Sequence, residues 1–244
     1  MKRTLLLVFV LFSLLFATAY GSFADNFDDN STYSPLWLPV SSGGPSVSEV
    51  NHRLEITIPA TSVGGTFYAG YDPFSRIRGD FDVRVDYQLL TWPAGNEVRL
   101  GMMMFGDTIG YANMVRCSST EELYIADFYG APLPSPRVTT TDMSGKLRLT
   151  RQGTTIIGYY YQSGAWVSLY SKVVTNADLG VSLRAWSHDT IFPDKEAKVA
   201  FDNFQILQGS LVPAVPAIPE PSSLLALASG LMALGLVRRR LSSK

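Results

Sequence analysis

The sequence predicts an all-β protein whose strands pair in antiparallel sheets and pack as a sandwich. The first observation is a strict alternation of apolar and polar residues from Phe81 to Leu89, the pattern of a strand with one buried and one exposed face. The second is a series of turn-forming clusters such as Pro93-Ala94-Gly95-Asn96. The third is that no amphipathic helical stretch is found in the central part of the sequence. About a dozen short strands in one domain favour a sandwich.

The individual strands follow from the same alternation and from a high content of β-branched and aromatic residues. Their predicted ranges are 54–58, 81–89, 98–104, 111–117, 123–129, 146–151, 154–161, 179–187 and 199–207. Turn signals separate them, at 78–80, 93–96, 144–145, 152–153 and 163–164. With no helical segment between them, these strands imply antiparallel sheets.

The first residues have the organisation of a secretion signal. The pair Lys2-Arg3 forms a basic start, and residues 5–16 form an apolar stretch of the length that export signals have. Small residues follow at Ala17-Thr18-Ala19 and again at Ser22-Phe23-Ala24, and each set fits a cleavage site. We predict a signal peptide over residues 1–24, with an uncleaved N-terminal anchor as the alternative.

The central region, residues 25–207, is long enough for one domain with a full hydrophobic core. The chain carries 20 Lys and Arg residues against 21 Asp and Glu residues, without a long basic block. Nucleic-acid binding therefore has no electrostatic support. Cys117 is the one cysteine, so it forms no internal disulfide and is expected to be a small buried apolar residue. Residues 208–218 contain Pro213 and Pro216 and are predicted to be an extended linker.

The C-terminal segment, residues 219–244, carries three features in a fixed order. It begins with Pro219-Glu220-Pro221, continues with an apolar run over 222–237, and reaches a basic cluster at 238–240. The run of about 16 residues would form a helix of about 24 Å, short of the roughly 30 Å hydrocarbon core but able to span a thinned bilayer. We predict a membrane helix at about 222–237, with the basic cluster on the cytoplasmic side.

This segment resembles the PEP-CTERM sorting signal of Gram-negative bacteria. The resemblance rests on the apolar run together with Pro219, Glu220, Pro221, Arg238, Arg239 and Arg240. It implies an inner-membrane anchor, recognition by an exosortase, removal of the anchor, and delivery to the cell surface or the exopolysaccharide matrix. A simple C-terminal membrane anchor is the alternative.

The central region resembles the concanavalin A-like lectin and glucanase sandwiches. The residues that carry this resemblance are Gly145 to Gly153, Gly158-Tyr159-Tyr160, Gly164-Ala165-Trp166, the opening Phe27-Asp28-Asp29 and the closing stretch 199–204. The resemblance implies a concanavalin A-like antiparallel jelly-roll sandwich whose first and last strands lie beside each other. It implies no function by itself, since one fold hosts many activities.

No catalytic residues are predicted. Retaining glycosidases of this fold need two carboxyl groups about 5 Å apart, often supplied by a Glu-x-Asp-x-x-Glu strand, and that motif is absent from the sequence. Asp82 and Asp86 share one strand face but lie two pleats apart, about 13 Å. Arg84 lies between them, so an outward ion-paired ladder is expected. The protein is therefore predicted not to be an enzyme, with an extracellular glycoside hydrolase of unrecognised active site as the alternative.

A structural calcium ion is the one metal that the sequence suggests. Asp28, Asp29 and Asp202 lie where the first and last strands should meet, and Ca²⁺ prefers carboxylate and carbonyl oxygens. Turn-forming aspartates that accept hydrogen bonds from backbone N–H groups are the alternative.

Carbohydrate binding is the molecular activity that the sequence favours. Sugar rings stack on exposed aromatic side chains, and Trp92, Tyr160 and Trp186 are the candidates, while Trp37 and Trp166 are expected in the core. We predict an exported, non-enzymatic protein that binds extracellular polysaccharide or belongs to an exopolysaccharide matrix. A purely structural adhesive domain remains a third interpretation beside the hydrolase.

Overall fold

All regular structure in the described part of the chain is β-strand. The computed structural model describes residues 23–31, 37–63, 65, 67–106, 110–187 and 194–213. The strands in these residues are β1 (Phe23–Asp25), β2 (Trp37–Ser42), β3 (Ser46–Val50), β4 (Arg53–Ile58), β5 (Tyr68–Pro73), β6 (Ser75–Thr91), β7 (Val98–Gly106), β8 (Gly110–Ser118), β9 (Glu122–Phe128), β10 (Arg137–Thr139), β11 (Ser144–Gln152), β12 (Thr155–Gln162), β13 (Ala165–Val173), β14 (Gly180–Ser187) and β15 (Ala197–Pro213). Each strand that the sequence predicts is present.

The strands form two antiparallel sheets. Sheet I has the order β13-β12-β11-β6-β15-β4-β3, with β1 paired to β15, and sheet II has the order β10-β9-β8-β7-β14-β5-β2. Phe23 of β1 lies opposite Ile206 of β15, so the first and last strands are neighbours, as the family resemblance implies. The all-β antiparallel sandwich is therefore confirmed for the described residues.

The core fills the space between the inner faces of the two sheets. On β6 the residues Phe81, Val83, Val85, Tyr87 and Leu89 are at most 4% exposed, whereas the residues between them point outward, because successive side chains of a strand alternate between faces. The inner face of sheet II contributes a methionine-rich set from β7 and β8, Met102, Met104 and Met114. The period-2 alternation predicted for β6 is confirmed.

The outward residues of β6 form the predicted ion-paired ladder. The Asp82 carboxylate accepts hydrogen bonds from Arg84 on its own strand (Nη2 to Oδ2, 2.7 Å) and from Arg148 on β11 (Nη2 to Oδ2, 2.9 Å). Burial by itself would raise the pKa of Asp82, but these two guanidinium groups outweigh it and lower the pKa. Asp86, two pleats away, is paired instead with Lys146.

The sandwich extends beyond the predicted domain boundary. Strand β15 continues past Leu207 to Pro213, through the first residues of the segment that the sequence predicts as a linker. The strands and loops of residues 23–213 bury a hydrophobic core of their own, which is what an independent domain needs.

Several predictions fall outside the described residues. These are the signal peptide up to residue 22, the remainder of the linker, the membrane helix at about 222–237, and the sorting residues at 219–221 and 238–240. Within the residues that the structure does describe, no helix is long and apolar enough to cross a membrane.

Glu49 of β3 is a buried carboxyl group, 4% exposed, with Asp29 and Asp25 as acidic neighbours. Tyr71 donates its hydroxyl to Glu49 Oε1 at 2.9 Å, and Asp29 shares a hydrogen bond with the same carboxyl. Burial, the hydrogen bond with Asp29 and the negative charges of Asp29 and Asp25 together raise the pKa of Glu49 to about 7. One proton is therefore shared between Glu49 and Asp29 in the folded protein at mildly acidic pH.

This proton makes the stability pH-dependent. The folded pKa of Glu49 lies above its ordinary value, so the folded state binds the extra proton between about pH 4.5 and 7 and loses stability as the pH rises through that window. The loss for Glu49 is of the order of 2–3 kcal/mol. The variant Glu49→Gln keeps an acceptor for Tyr71 but does not titrate. We therefore expect its free energy of unfolding to rise relative to that of the wild type as the pH is raised from 5 to 8. Urea unfolding of both proteins at pH 5 and pH 8 measures the two free energies of unfolding. If their difference is the same at both pH values, the raised pKa of Glu49 is contradicted.

Candidate functional site

The outer face of sheet II brings polar side chains from several strands into one row. The register places Asn113 of β8 opposite Asp127 of β9 on one side and opposite Met103 of β7 on the other. Met103 in turn lies opposite Ser182 of β14, whose hydroxyl donates to Asp72 of β5 at 2.8 Å. Their neighbours along each strand, such as Met102 and Met114, belong to the core, so this row faces away from it.

Beside this row lies a pair of exposed tyrosines, Tyr111 and Tyr129, which we call the tyrosine pair. Tyr129 is 59% exposed and Tyr111 is 38% exposed. Their ring centroids are 5.8 Å apart at an interplanar angle of 75°, an edge-to-face arrangement. The Tyr129 backbone N–H donates to the Tyr111 carbonyl oxygen at 2.9 Å, so the β8–β9 hairpin fixes the two residues opposite each other.

The backbone around the tyrosine pair is built to receive the Tyr129 ring. Gly110 has a φ of +68°, in the left-handed region that favours glycine, and a Cβ at this position would lie 2.7 Å from the ring. The ammonium group of Lys172 lies 5.6 Å from the ring centroid on another side. The ring therefore rests against a glycine and a cation while more than half of its surface stays open to solvent.

Two buried polar atoms on this face have no hydrogen-bond partner among the residues that the structure describes. They are Oδ1 of Asn113, a residue only 4% exposed, and Nε of Arg99. Arg99 Nη1 donates to Asp127 Oδ2 at 3.0 Å, and the register places Val115 between these two residues, so the ion pair covers Val115. A buried acceptor and donor without partners cost free energy unless a ligand or water satisfies them.

This arrangement can hold a ring that is apolar on its faces and polar at its edges. The tyrosine pair offers exposed aromatic surface, and the unpartnered Asn113 acceptor and Arg99 donor are buried on the same face. A sugar presents C–H groups to aromatic rings and hydroxyl groups to such donors and acceptors.

Trp186 lies on the same outer face, farther along β14. It is half-buried and packs on a small apolar cluster made of Val115, Cys117, Leu123 and Ile125. Burial raises the pKa of the Cys117 thiol to about 12, so this cysteine is a buried apolar residue, as the sequence predicts. Whether Trp186 contacts a ligand stays a prediction.

Trp92 is half-buried and is held by contacts within the protein. Its indole Nε1 donates to Glu122 Oε2 at 2.9 Å, and the guanidinium of Arg116 lies 5.8 Å from its ring centroid. It also packs against the core. The contacts of its N–H and its ring with Glu122 and Arg116 give Trp92 a structural role.

Tyr160 is a core residue and cannot serve as a sugar platform. It is 6% exposed and stacks on Tyr124, with ring centroids 4.8 Å apart. The alternation along β12 sends Tyr159 and Tyr161 outward and Tyr160 inward, where it lies opposite Leu147 in the register. Trp166, expected in the core, is instead a half-buried residue that lies opposite Tyr161 on the outer face of sheet I.

Of the three candidate calcium ligands, Asp28 and Asp202 line one hollow, while Asp29 does not. Asp29 accepts a hydrogen bond from the Ser31 backbone N–H at 2.9 Å and turns toward Glu49, whereas Asp28 lies 3.6 Å from His52. Asp202 accepts a hydrogen bond from the Asn203 backbone N–H at 2.6 Å. In the described ranges no three His, Cys, Asp or Glu side chains are placed to hold a metal ion. Asp29 and Asp202 thus make the backbone contacts expected of turn-forming aspartates, whereas the Asp28 carboxylate contacts the side chains of Asn26 and His52. A calcium ion at these residues stays a prediction.

The carboxylates of the sheet II outer face do not form a glycosidase pair. Asp127 and Asp72 stand in the same row but four strands apart, about 19 Å at ~4.8 Å per strand, whereas glycosidase carboxyls lie about 5–9.5 Å apart. Each also accepts hydrogen bonds from an arginine, Asp127 from Arg99 and Asp72 from Arg184. These two carboxylates are therefore too far apart to act together as a glycosidase pair.

Comparison with known protein families identifies the C-terminal segment. Residues 217–240 match the PEP-CTERM protein-sorting motif, which indicates export with a C-terminal sorting signal processed by an exosortase. No curated protein is significantly similar to the chain in sequence.

Solved structures share the fold at low sequence identity. A prokaryotic beta-1,3-1,4-glucanase (lichenase) derived from a mouse hindgut metagenome is 10% identical, with a TM-score of 0.55 over 77% of this chain and 99% of that one. The cellulose induced protein Cip1 is 18% identical, with a TM-score of 0.53 over 75% and 96%. The lectin from Bauhinia forficata, solved in complex with GalNAc, is 9% identical, with a TM-score of 0.52 over 80% and 100%. The sandwich is thus of the jelly-roll type found in concanavalin A-like glucanases and lectins.

Proposed function

We propose that this protein is an exported carbohydrate-binding domain without glycosidase activity. The observation that carries the proposal is the exposed tyrosine pair beside the buried, unpartnered Oδ1 of Asn113. Two exposed aromatic rings in contact offer a surface on which a sugar can stack, and an acceptor without a protein partner can take a hydrogen bond from a ligand or from water. A sugar ring supplies both the apolar face and the hydroxyl donor.

The fold and the sorting motif support the same proposal. Structural neighbours of the sandwich include a lectin in complex with GalNAc and a glucanase, so this fold accommodates glycans on other proteins. The PEP-CTERM motif indicates export with a C-terminal sorting signal. We infer that the protein passes through a C-terminal membrane helix and an exosortase to the surface or exopolysaccharide matrix of a Gram-negative bacterium.

A glycoside hydrolase is the second candidate, and one specific observation favours it. Asp28, Asp86 and Asp202 line a hollow of about 520 Å³ on the sheet I side together with His52. Burial raises the pKa of Asp202, and the negative charges of Asp86 and Asp28 raise it further, which is the direction a general acid requires. If the protein is a hydrolase, Asp202→Asn should abolish its activity.

We expect the exported protein to begin at Tyr20 rather than at Asp25. Cleavage after Ala24 would remove Phe23, which pairs with Ile206 of β15 and whose ring packs on Phe204 at a centroid distance of 6.2 Å. Cleavage after Ala19 leaves this strand intact. N-terminal sequencing of the exported protein decides between the two sites, and a mature chain that begins at Asp25 would contradict the structural role of β1.

The proposal is tested by measuring binding and sugar release together. The fragment of residues 20–213 is titrated against a panel of β-glucans and bacterial exopolysaccharides, and soluble reducing ends are assayed in the same samples. Saturable binding without release of reducing ends is the expected result. Release of reducing ends that disappears in Asp202→Asn would replace the proposal with the hydrolase, and the absence of binding to every polymer would reject it.

A further inference from the structure

The outer face of sheet I, on the other side of the sandwich from the tyrosine pair, carries a row of aromatic and charged side chains. The register of β6 with β11 places Lys146 opposite Asp86, and that of β12 with β13 places Tyr161 opposite Trp166. Leu147 is paired with Tyr160, so Lys146 lies beside Tyr161 across the β11–β12 pair. Asp86, Lys146, Tyr161 and Trp166 therefore follow one another across four neighbouring strands.

Two adjoining hollows lie along this row and share Asp86, Lys146 and Tyr161. Their volumes are about 500 Å³ and about 470 Å³, within the range of small-ligand sites. The second hollow is also lined by Arg84, Trp166 and the amide side chains of Asn203 and Gln205. We call the two hollows together the sheet I trough.

The aromatic residues of the trough are held in fixed positions. Tyr161 and Trp166 contact edge to face, with ring centroids 5.1 Å apart. The guanidinium groups of Arg84 and Arg148 lie 5.4 Å and 5.6 Å from the Trp166 ring centroid, and Asp82 binds both arginines through paired hydrogen bonds. A ring anchored in this way needs little further ordering when a ligand arrives, which favours affinity.

The trough presents an exposed lysine to a ligand. Arg84 and Lys146 line the two hollows together with the carboxylates of Asp86 and Asp142, so the charges of the lining balance. Lys146 donates to Asp86 Oδ2 at 2.9 Å while its side chain is 47% exposed, so its ammonium group keeps donors directed to solvent. The amides of Asn203 and Gln205 add neutral donors and acceptors of the kind that bind hydroxyl groups.

We propose that the sheet I trough binds an acidic polysaccharide, with a uronate carboxylate on Lys146 and the adjoining sugar ring against Tyr161. An ammonium–carboxylate hydrogen bond supplies the preference for the acid form, and the aromatic ring supplies contact that does not depend on charge. This site is separate from the tyrosine pair and goes beyond the function proposed for it. A domain with glycan sites on both outer faces can bridge two polysaccharide strands, which multiplies attachment strength in a matrix.

The test compares polygalacturonate with its methyl ester, which keeps the sugar and removes the charge. Titration calorimetry on the 20–213 fragment should show binding of the acid polymer and at least tenfold weaker binding of the ester, with the acid form weakening as salt rises. Lys146→Gln should weaken acid-polymer binding about tenfold and leave ester binding unchanged. Tyr161→Ala should weaken the binding of both polymers.

Lys195→Gln is the matched control, since it removes the same charge at an exposed lysine that donates to the Ala94 carbonyl oxygen. It should bind the acid polymer like the wild type. Equal affinity for acid and ester, or an equal loss in Lys195→Gln, would overturn the proposal by showing that uronate is not recognised at this lysine. A loss in Tyr129→Ala alone would assign the acidic glycan to the tyrosine pair instead. The tyrosine pair is judged separately, by the effect of Tyr129→Ala on neutral glucans.

Discussion

Replacing Glu122 by alanine is expected to lower the free energy of unfolding by about 3–5 kcal/mol. Arg116 is 1% exposed, and its Nη1 lies 2.6 Å from Glu122 Oε2. Trp92 and Ser118 donate hydrogen bonds to the same carboxylate, at 2.9 Å and 2.5 Å. Removing Glu122 leaves the guanidinium charge buried without its counter-ion and leaves two more donors without their acceptor, so the cost exceeds that of an ordinary surface ion pair.

Two further variants separate this explanation from a general sensitivity of the β8–β9 turn. Glu121→Ala removes the neighbouring exposed carboxylate and should change stability by less than about 0.5 kcal/mol. The double variant Arg116→Met with Glu122→Leu removes both charges and should recover most of the loss. Urea unfolding at pH 7 measures all three. A Glu122→Ala effect below about 1 kcal/mol, or a double variant no better than the single one, would contradict a buried-charge penalty.

The strands that sequence analysis missed are those whose side chains do not alternate cleanly between two environments. β13 is an edge strand of sheet I and is half-exposed or exposed along its whole length, so burial does not impose a period of two on its residues. β2 and β5 contain Pro39, Gly70 and Pro73, residues that are depleted in strands. β6, by contrast, is in the interior of its sheet, with one face on the core, and its alternation was sufficient to predict it.

The alternation of side chains along a strand assigns them to two faces, but it does not show which face is buried. For β12 the sequence separates Tyr160 from Tyr159 and Tyr161, but only the pairing of Tyr160 with Leu147 directs it into the core. Pairing with a particular neighbour depends on tertiary structure, because a shift of register by one residue would exchange the two faces. Alternation alone therefore does not tell Tyr160, a candidate ligand residue by sequence, from Tyr161, which lines the sheet I trough.

The tyrosine pair illustrates the same dependence on register. Tyr111 and Tyr129 both fall within predicted strands, yet 18 positions separate them in sequence, and only the β8–β9 hairpin brings them together. The lack of a partner for Asn113 Oδ1 is likewise a property of the folded packing. The sorting segment differs because its recognition depends on a linear motif, and residues 217–240 were therefore identifiable without any structure.

Tyr129→Ala is expected to weaken binding of the best-bound neutral glucan by about thirtyfold, corresponding to about 2 kcal/mol. The ring is 59% exposed and contributes stacking surface rather than core packing, so the variant should fold like the wild type. Tyr129→Phe keeps the ring and should retain most of the affinity. Titration calorimetry on the 20–213 fragment measures both, with thermal unfolding as the check on folding.

Phe74→Ala is the matched control, because Phe74 is also an exposed aromatic residue, at 48%, and takes no part in the tyrosine pair. It should bind the glucan as the wild type does. If Phe74→Ala weakens binding as much as Tyr129→Ala, the polymer adsorbs on aromatic surface in general, and the tyrosine pair is not a site. If Tyr129→Ala binds unchanged, the pair is a surface feature without a ligand, and the unpartnered Asn113 carbonyl must be satisfied by water.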